Sequence, residues 1–496
     1  MSPKLVTVPL RILRRGRLSA FLGGDELAEK VLRGGFWVSL ALGVDKVLGL
    51  VRSVVLARLL FPEDFGLMSV VMVALVGLEV FTNATTGVEM AIVQHKRADD
   101  RLLNTAWTVS ILRGTALWFL LFFSAPLFSS FFHRSELTPL LRAASVVFFI
   151  SGLRNVGLVL LQKEMDFRRR SFLRVLTNGT GTLAAVVLAV LLRDVWALVI
   201  AYIIESLVKT VGSYFVHPFR PRFDFDPACW RRLFRFAKFI FIQGIVIYFI
   251  SKGDDIVVGK MLGVKALGFY TLAYMIVNMF SSLGEVIWEV TFPAYSKVQD
   301  DKGELEANYL RTLKGALFLI LPAAGLLFCL APEIVEVIYG PKWLPAVVPM
   351  RIFCFLGGFV ALASPTDPVF LGVGRPDISF KISLCESISI GVLILPSIKY
   401  LGIPGAALAV TLAGLFNVGL QIYFLKGILP GIGKGILKNL APPLASVSGM
   451  VLVVGAVRWF WGSFRSLGML VGALLLGSIV YLAFYYGFEG RRVLKG

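Results

Sequence analysis

Long apolar segments dominate this chain along its whole length. A run of about 20 mostly apolar residues is long enough to cross the hydrocarbon core of a bilayer as a helix. Fourteen such runs occur, at 36–60, 65–92, 103–131, 137–161, 172–192, 195–216, 233–252, 267–295, 307–330, 346–371, 378–398, 402–425, 437–457 and 466–487. The connections between them are too short for a soluble domain. The pattern therefore predicts an all-α polytopic membrane protein with about 14 transmembrane helices.

A short motif after the first run occurs again 202 residues later. The first copy reads Val54-Val-Leu-Ala-Arg58-Leu-Leu-Phe-Pro62-Glu-Asp64-Phe-Gly66, and the second reads Ile256-Val-Val-Gly-Lys260-Met-Leu-Gly-Val264-Lys-Ala-Leu-Gly268. Each copy lies between two long apolar runs, so each is predicted to form a tight hinge between two membrane-spanning helices. We call these copies the hinge motifs. Their repetition predicts a protein built from two related halves.

This repeat defines the expected domain organisation. We expect two pseudo-symmetric six-helix lobes around a central cavity, followed by two extra C-terminal helices. The segments are 1–33, a basic cytoplasmic or interfacial stretch; 34–217, the N-lobe; 218–430, the C-lobe; and 431–496, spans thirteen and fourteen with a cytoplasmic tail. Arg142 and Arg351 match at an offset of 209, and we expect the loop at 300–303 to absorb the seven additional residues.

Composition and charge agree with a membrane protein. Hydrophobic residues make up 57% of the chain and charged residues 16%, whereas about a quarter of the residues of a soluble domain are charged. A net charge of +19 could indicate nucleic-acid binding. However, the Lys and Arg residues concentrate in alternate connections, starting with the N-terminal segment. This distribution predicts that both termini are cytoplasmic, and it makes nucleic acid an unnecessary partner.

Several charges fall inside the predicted spans, where they generally face a polar cavity or a partner. Lys46, Arg52, Arg142, Arg154 and Arg351 are among the in-span cations. Acidic and amide groups inside spans or at span ends include Glu79, Asn83, Asp254, Asp255, Glu285, Glu289 and Asp367. Spans two and eight are equivalent in the repeat, and each carries a polar stripe. A water-filled cavity explains this more simply than core packing does.

Two readings of the charges near the hinge motifs remain open. Arg52 and Asp254 occupy equivalent depths in the two halves, so they could meet when the cavity closes on one side. Alternatively, each is satisfied by a partner within its own half.

Asp45 and Arg52 are seven residues apart and should share one helix face.

The sequence offers no chemistry for catalysis. The three histidines have no metal-ligand spacing, the four cysteines are scattered, and no phosphate-binding loop occurs. We therefore expect no catalytic residue, no metal site and no cofactor. Three energy sources for any transport are left open: an ion gradient, with H⁺ or Na⁺ as the candidate ions, a substrate gradient, or a separate source.

Three stretches resemble a known family. They are Leu-Ala-Arg58-Leu-Leu-x-Pro62-Glu-Asp64-Phe-Gly66-Leu, Leu161-Gln-Lys-Glu164-Met-Asp-Phe167-Arg168-Arg169 and Asp255-x-x-x-Gly259-Lys260-x-Leu-Gly263-x-x-Ala266-Leu-Gly268-Phe-Tyr270. The first resembles the polysaccharide-transporter branch of the multidrug/oligosaccharidyl-lipid/polysaccharide exporter superfamily. The other two resemble Wzx-type flippases of the colanic acid exporter type within it.

This resemblance implies two six-helix lobes in a V shape and flipping of undecaprenyl-diphosphate-linked sugar repeat units across a bacterial cytoplasmic membrane. A diphosphate needs a cationic cavity, so Arg52 and Arg154, followed by Lys46, Arg142 and Arg351, are the predicted substrate contacts. The acidic groups are predicted to serve ion coupling or to line the cavity. Membrane lipid is an expected partner, and a polysaccharide polymerase and a chain-length regulator are candidate partners.

Three alternatives remain. A peptidoglycan lipid II flippase also has fourteen spans and a cationic cavity. A drug or cation antiporter of the same fold would need an anionic cavity. A membrane polysaccharide polymerase or ligase generally needs a large external loop, and the external connections here are short.

Overall fold

The computed structural model describes residues 25–81, 100–163, 166–462, 464 and 466–493, and every regular element among them is a helix. The first half contains α1 (Asp25–Leu59), α2 (Pro62–Phe81), α3 (Asp100–Phe132), α4 (Leu137–Gly152), α5 (Leu158–Lys163), α6 (Phe167–Leu192) and α7 (Trp196–Val216). The second half contains α8 (Pro227–Leu262), α9 (Val264–Val277), α10 (Met279–Lys297), α11 (Lys302–Cys329), α12 (Ala331–Glu333), a π-helix (Ile334–Tyr339), a 3₁₀-helix (Pro341–Ala346), α13 (Val347–Ala363), α14 (Asp367–Gly372), α15 (Pro376–Leu401), α16 (Ile403–Ile428), α17 (Ile432–Trp461) and α18 (Leu467–Val493).

Ten helical segments in the described part of the chain are long and apolar enough to cross a membrane. They correspond to ten of the fourteen predicted runs. The other four runs correspond to α1, to α2, to α4 with α5, and to α8. Among these, α4 ends after 16 residues, and residues 82–92, which would complete the second span, lie outside the described residues. The all-α polytopic membrane fold is confirmed, and the count of fourteen spans stays a prediction.

The chain forms two compact units. Unit 1 contains the described residues of Met1–Ser53, Thr82–Ser124 and Pro139–Phe241. Unit 2 contains those of Val54–Phe81, Ala125–Thr138 and Ile242–Gly496. Both hinge motifs therefore belong to unit 2. The four-part division expected from the sequence stays a prediction.

The helices that follow the two hinge motifs cross each other in unit 2. A Cβ atom on Gly66 of α2 would lie 1.7 Å from the carbonyl oxygen of Val264. A Cβ atom on Gly268 of α9 would lie 1.8 Å from the carbonyl oxygen of Pro62. Pro62 and Val264 are themselves equivalent in the repeat, so the contact is symmetric. Only glycine permits two helix backbones to approach this closely, which explains why the repeat contains Gly at both positions.

Trp343 fills the space beside the first hinge motif. Its side chain is fully buried, and its indole Nε1 donates a hydrogen bond to the Ala57 carbonyl at 2.8 Å. Its ring makes edge-to-face contacts with Phe65 at 5.0 Å and Phe269 at 6.0 Å. Phe65 directly precedes Gly66, and Phe269 directly follows Gly268. The aromatic residue beside each repeated Gly therefore packs against a single shared indole.

Spans four and ten are both broken at related positions. The first break lies between Gly152 of α4 and Leu158 of α5, and the second between Ala363 of α13 and Asp367 of α14. The sequence predicted the second break. In the first, Tyr214 and Trp107 donate hydrogen bonds to the Leu153 carbonyl at 2.6 and 3.4 Å. These side chains replace helical hydrogen bonds that the break removes.

Candidate functional site

The cation of each hinge motif caps a helix of the other half of the repeat. In unit 2, Arg58 Nε donates to the Ile338 carbonyl at 2.8 Å, and its Nη2 donates to the Val337 carbonyl. Lys260 Nζ donates to the Phe131 carbonyl at 2.5 Å. Carbonyls near a helix C-terminus lack intrahelical donors, and the negative end of the helix favours a cation. The two halves thus exchange their capping cations at the hinge motifs.

The charges inside α1 are paired within unit 1. Asp45 accepts a hydrogen bond from Arg174 of α6, and Arg52 forms an ion pair with Glu205 of α7 at 3.3 Å. Helices α6 and α7 pack against each other, so both side chains are directed to the same pair of helices. The prediction that Asp45 and Arg52 share a helix face is confirmed. About a quarter of each side chain of the Arg52–Glu205 pair stays exposed.

Arg154 lies in the break between α4 and α5, and it is half-buried. Its neighbour Asn155 holds the break in place. The Asn155 backbone N–H donates to Ser213 Oγ at 3.0 Å, and its side-chain amide donates to the Phe219 carbonyl at 2.8 Å. The Arg154 guanidinium makes no hydrogen bond or ion pair with the residues that the structure describes. Arg154 is therefore a half-buried cation in unit 1 whose guanidinium has no partner among the described residues.

Arg142 and Arg351 have matching surroundings, although they lie in different units. Arg142 Nε donates to the Phe122 carbonyl at 3.4 Å, and the guanidinium lies 5.0 Å from the centre of the Phe122 ring. Arg351 Nε donates to the Phe328 carbonyl at 3.2 Å, and its guanidinium lies 5.7 Å from the Phe328 ring. The repeat thus preserves the interaction as well as the residue type.

Unit 2 contains a buried acidic cluster near the end of α8. Asp254 and Asp255 are 5% and 6% exposed. The Tyr270 hydroxyl donates to Asp254, and Lys252 donates to Asp255 at 2.7 Å. One oxygen of Asp254, Oδ1, has no hydrogen-bond partner within the described structure. A carboxylate held in this way is poised to accept a proton or a cation.

Sequence reasoning missed four residues of this region. Glu386 accepts a hydrogen bond from Asn417 at 2.5 Å, and Gln421 donates to Asn417 at 2.9 Å. Tyr274 interacts electrostatically with Asp254, Asp255 and Glu386. The available signal was a single Glu in the apolar run of α15 and an Asn–Gln pair four residues apart in α16. Tyr274 also lines a small cavity of about 20 Å³, with Asn278 and Ser281.

The remaining predicted residues are distributed as follows. Asp367, at the second break, accepts hydrogen bonds from Ser379 at 2.6 Å and Trp288 at 3.1 Å. Glu285 and Glu289 are exposed on α10, and Glu79 and Lys46 are exposed on α2 and α1. Asn83 lies outside the described residues. Within the described part of the chain, no group of three His, Cys, Asp or Glu side chains could hold a metal ion.

A family model described as polysaccharide biosynthesis protein matches residues 55–348, more than half of the chain. The chain belongs to this family. The matched residues include nearly all of the first hinge motif and all of the second. They also include Arg154, Asp254 and Asp255.

Three relatives of this chain have names that refer to the biosynthesis of surface polymers. The lipopolysaccharide biosynthesis protein WzxC of Escherichia coli is 26% identical over 78% of this chain and 78% of its own length. The teichuronic acid biosynthesis protein TuaB of Bacillus subtilis is 25% identical over 71% of this chain and 74% of its own. The succinoglycan biosynthesis transport protein ExoT of Rhizobium meliloti is 24% identical over 92% of both chains.

The fold of this chain is similar to those of solved transporters. The lipid II flippase MurJ in an inward closed conformation gives a TM-score of 0.76 at 18% identity, over 92% of this chain and 99% of that one. An inward-facing multidrug resistance MATE family transporter of the MOP superfamily gives 0.64 at 16% identity, over 79% and 96%. At these identities the likeness shows the fold alone.

Proposed function

We propose that this protein is a flippase that moves undecaprenyl-diphosphate-linked oligosaccharide repeat units across the bacterial cytoplasmic membrane by alternating access. The units would supply lipopolysaccharide O-antigen, capsule or exopolysaccharide. The family match over 55–348 is the observation that carries this proposal. The names of WzxC and ExoT, for biosynthesis and transport of polysaccharides, support it. The protein is a transporter and not an enzyme.

Arg154 is the primary candidate for contact with the diphosphate. A guanidinium binds phosphate oxygens in a bidentate manner, and that of Arg154 has no described partner that would compete. Arg52 is available at the cost of its ion pair with Glu205, which is partly exposed. Lys46, exposed on α1, supplies a further cation. These side chains would line the water-filled cavity expected from the sequence.

The buried acidic cluster of unit 2 is the proposed site of coupling to H⁺ or Na⁺. Asp254 retains an oxygen without a described partner, and Asp255 is paired with Lys252. Two adjacent buried carboxylates are unfavourable while both are charged. A bound cation would lower the free-energy cost of their burial and of their mutual repulsion. Glu386 and Asn417 extend the cluster. The exposed Glu79, Glu285 and Glu289 would line the cavity and contact water or sugar hydroxyls.

The distribution of Lys and Arg supports an orientation with both termini in the cytoplasm. The substrate and the membrane lipid are the proposed partners. A polysaccharide polymerase and a chain-length regulator would act on the product at the opposite face. A lipid II flippase is the second candidate, because the MurJ fold covers nearly the whole chain.

Deletion of the gene followed by complementation tests the proposal. Cells that lack the protein should lose surface polysaccharide and accumulate lipid-linked repeat units in the inner leaflet. The wild-type protein should restore export, whereas Arg154→Ala should not. Arg311→Ala is the matched control, because Arg311 is an exposed arginine on α11, and it should restore export fully.

The same experiment separates the alternatives. A lipid II flippase would instead be indicated by failure of peptidoglycan synthesis with normal surface polysaccharide. A polymerase or ligase would leave single repeat units in the outer leaflet. Unchanged polysaccharide together with increased drug sensitivity would indicate an antiporter and would overturn the proposal.

A further inference from the structure

Two prolines lie at equivalent positions of the repeat, one inside a helix and one directly after the end of the equivalent helix. Pro126 lies inside α3, and Pro332 lies directly after α11, in α12. Both end the pattern Phe-x-x-Ala-Pro, which runs from Phe122 to Pro126 and again, 206 residues later, from Phe328 to Pro332. Proline has no backbone N–H, so the carbonyl four residues earlier loses its helical donor. The two carbonyls left without this donor are those of Phe122 and Phe328.

In each half, an arginine from the next long helix supplies a donor to that same carbonyl. Arg142 of α4 donates through Nε to the Phe122 carbonyl at 3.4 Å. Arg351 of α13 donates through Nε to the Phe328 carbonyl at 3.2 Å. Each guanidinium also lies over the ring of the same phenylalanine, at 5.0 and 5.7 Å. Two side-chain interactions therefore hold each arginine where the proline has removed a backbone interaction.

Satisfaction of these carbonyls matters because the helices cross a membrane. A backbone carbonyl without a donor is unfavourable in an apolar environment, where water cannot replace the missing bond. Neither arginine forms an ion pair with a carboxylate of the described residues. The carbonyl and the aromatic ring are thus the main attachments that the structure gives them. The arrangement occurs once in each half of the repeat, so the structure shows it twice.

We propose that Arg142 and Arg351 are positioning residues that support α3 and α11 where the prolines weaken them, and that neither contacts the substrate. In both halves, the supported segment is followed closely by a carbonyl that receives a hinge cation. Pro332 lies six residues before Ile338, whose carbonyl receives the hinge cation Arg58. In the first half, Pro126 lies five residues before Phe131, whose carbonyl receives Lys260. Each arginine would therefore keep a helix end in position for capping by a hinge cation.

A double-substitution cycle tests this assignment. Arg142→Ala alone should lower the apparent melting temperature of the purified protein by about 2–4 °C. Pro126→Ala restores an N–H that can donate to the Phe122 carbonyl. Arg142→Ala should therefore have little further effect when it is combined with Pro126→Ala. The pair Arg351→Ala and Pro332→Ala should behave in the same way.

The non-cognate combination is the matched control. Pro332→Ala should not rescue Arg142→Ala, since it restores the donor to a different carbonyl. Complementation of polysaccharide export should follow the same pattern, and this second readout rests on the proposed function. The thermal readout does not depend on the substrate, so the two can fail separately.

Two results would overturn the assignment. The first is a loss of export in Arg142→Ala that persists in the cognate double variant although its melting temperature is restored, which would indicate a substrate contact. The second is an unchanged melting temperature in both single arginine variants, which would show that the guanidinium groups do not support the helices.

Discussion

The hydroxyl oxygens of Ser69 and Thr271 lie 2.9 Å apart, and the two residues are separated by the same 202 positions that relate the two hinge motifs. A residue therefore meets its own repeat equivalent. This places a local two-fold axis between α2 and α9, next to the crossing of Gly66 and Gly268. The duplicated sequence is thus expressed as a symmetric contact between its two copies.

A disulfide across this axis should block transport. Alternating access requires the two halves to separate at the hinge motifs in one of its states. Ser69→Cys with Thr271→Cys should crosslink under mild oxidation, stop export of polysaccharide, and regain export after reduction. Each single cysteine variant serves as the control. Full export by a quantitatively crosslinked protein would show that this contact does not open during transport.

The glycines at the crossing should not tolerate a methyl group. Gly66→Ala or Gly268→Ala would force a Cβ atom against a backbone carbonyl, and overpacking of this kind destabilises by about 1–3 kcal/mol. Gly419→Ala is the control, because a Cβ atom there would meet nothing within 4 Å. Its stability should be unchanged or higher by about 0.5–1 kcal/mol. Thermal unfolding in detergent measures these differences, and equal effects at all three glycines would contradict the crossing.

Reversing the charge of Arg52 or of Glu205 alone should destabilise the protein, and reversing both together should restore its stability. The native ion pair spans 3.3 Å, so either Arg52→Glu or Glu205→Arg places two like charges next to each other in unit 1. Both single variants should lose stability and export, and the double variant should recover stability. The open alternative, that Arg52 meets Asp254 in another state, instead predicts recovery of export in Arg52→Asp with Asp254→Arg. Complementation of both double variants distinguishes the two pairings.

Neutralisation of Asp254 should uncouple transport without unfolding the protein. Asp254→Asn keeps an oxygen that can accept the Tyr270 hydrogen bond, but it removes the charge that a coupling cation would neutralise. The variant should fold normally and lose dependence of export on an imposed Na⁺ or pH gradient. Asp300→Asn, in an exposed loop, should retain that dependence. Gradient-dependent export by Asp254→Asn equal to that of the wild type would exclude Asp254 as the coupling site.

Part of this organisation could be predicted from the sequence, because the lengths of apolar runs and the repetition of a motif are visible without knowledge of how the helices pack. The hinge motifs and the shared face of Asp45 and Arg52 follow from them. The position of the seven additional residues was only partly predicted. Phe122 and Phe328 are equivalent at an offset of 206, so four residues are added before Phe328, and three more before Arg351, where the π- and 3₁₀-helices lie.

The partners of the charged side chains could not be predicted, because they depend on which helix faces meet. Nothing in the sequence around Glu205 identifies it as the partner of Arg52, which lies 153 residues away. The proximity of Glu386 to the cluster of Asp254 depends likewise on the packing of distant helices. The arginine–phenylalanine–proline arrangement did have a sequence signal, the repeated Phe-x-x-Ala-Pro pattern. The structural effect of this pattern comes from the N–H that proline lacks, and a hydropathy profile does not show that effect.

Reconstituted transport tests the central claim most directly. Purified protein in liposomes that carry an undecaprenyl-diphosphate-linked repeat unit can be probed with a glycosidase confined to the outside. The account predicts that the wild-type protein exposes the units of both leaflets to the enzyme when a cation gradient is imposed, and that Arg154→Ala exposes only the outer half. If protection of the inner half were the same with wild-type protein as with protein-free liposomes, the flippase assignment would be contradicted.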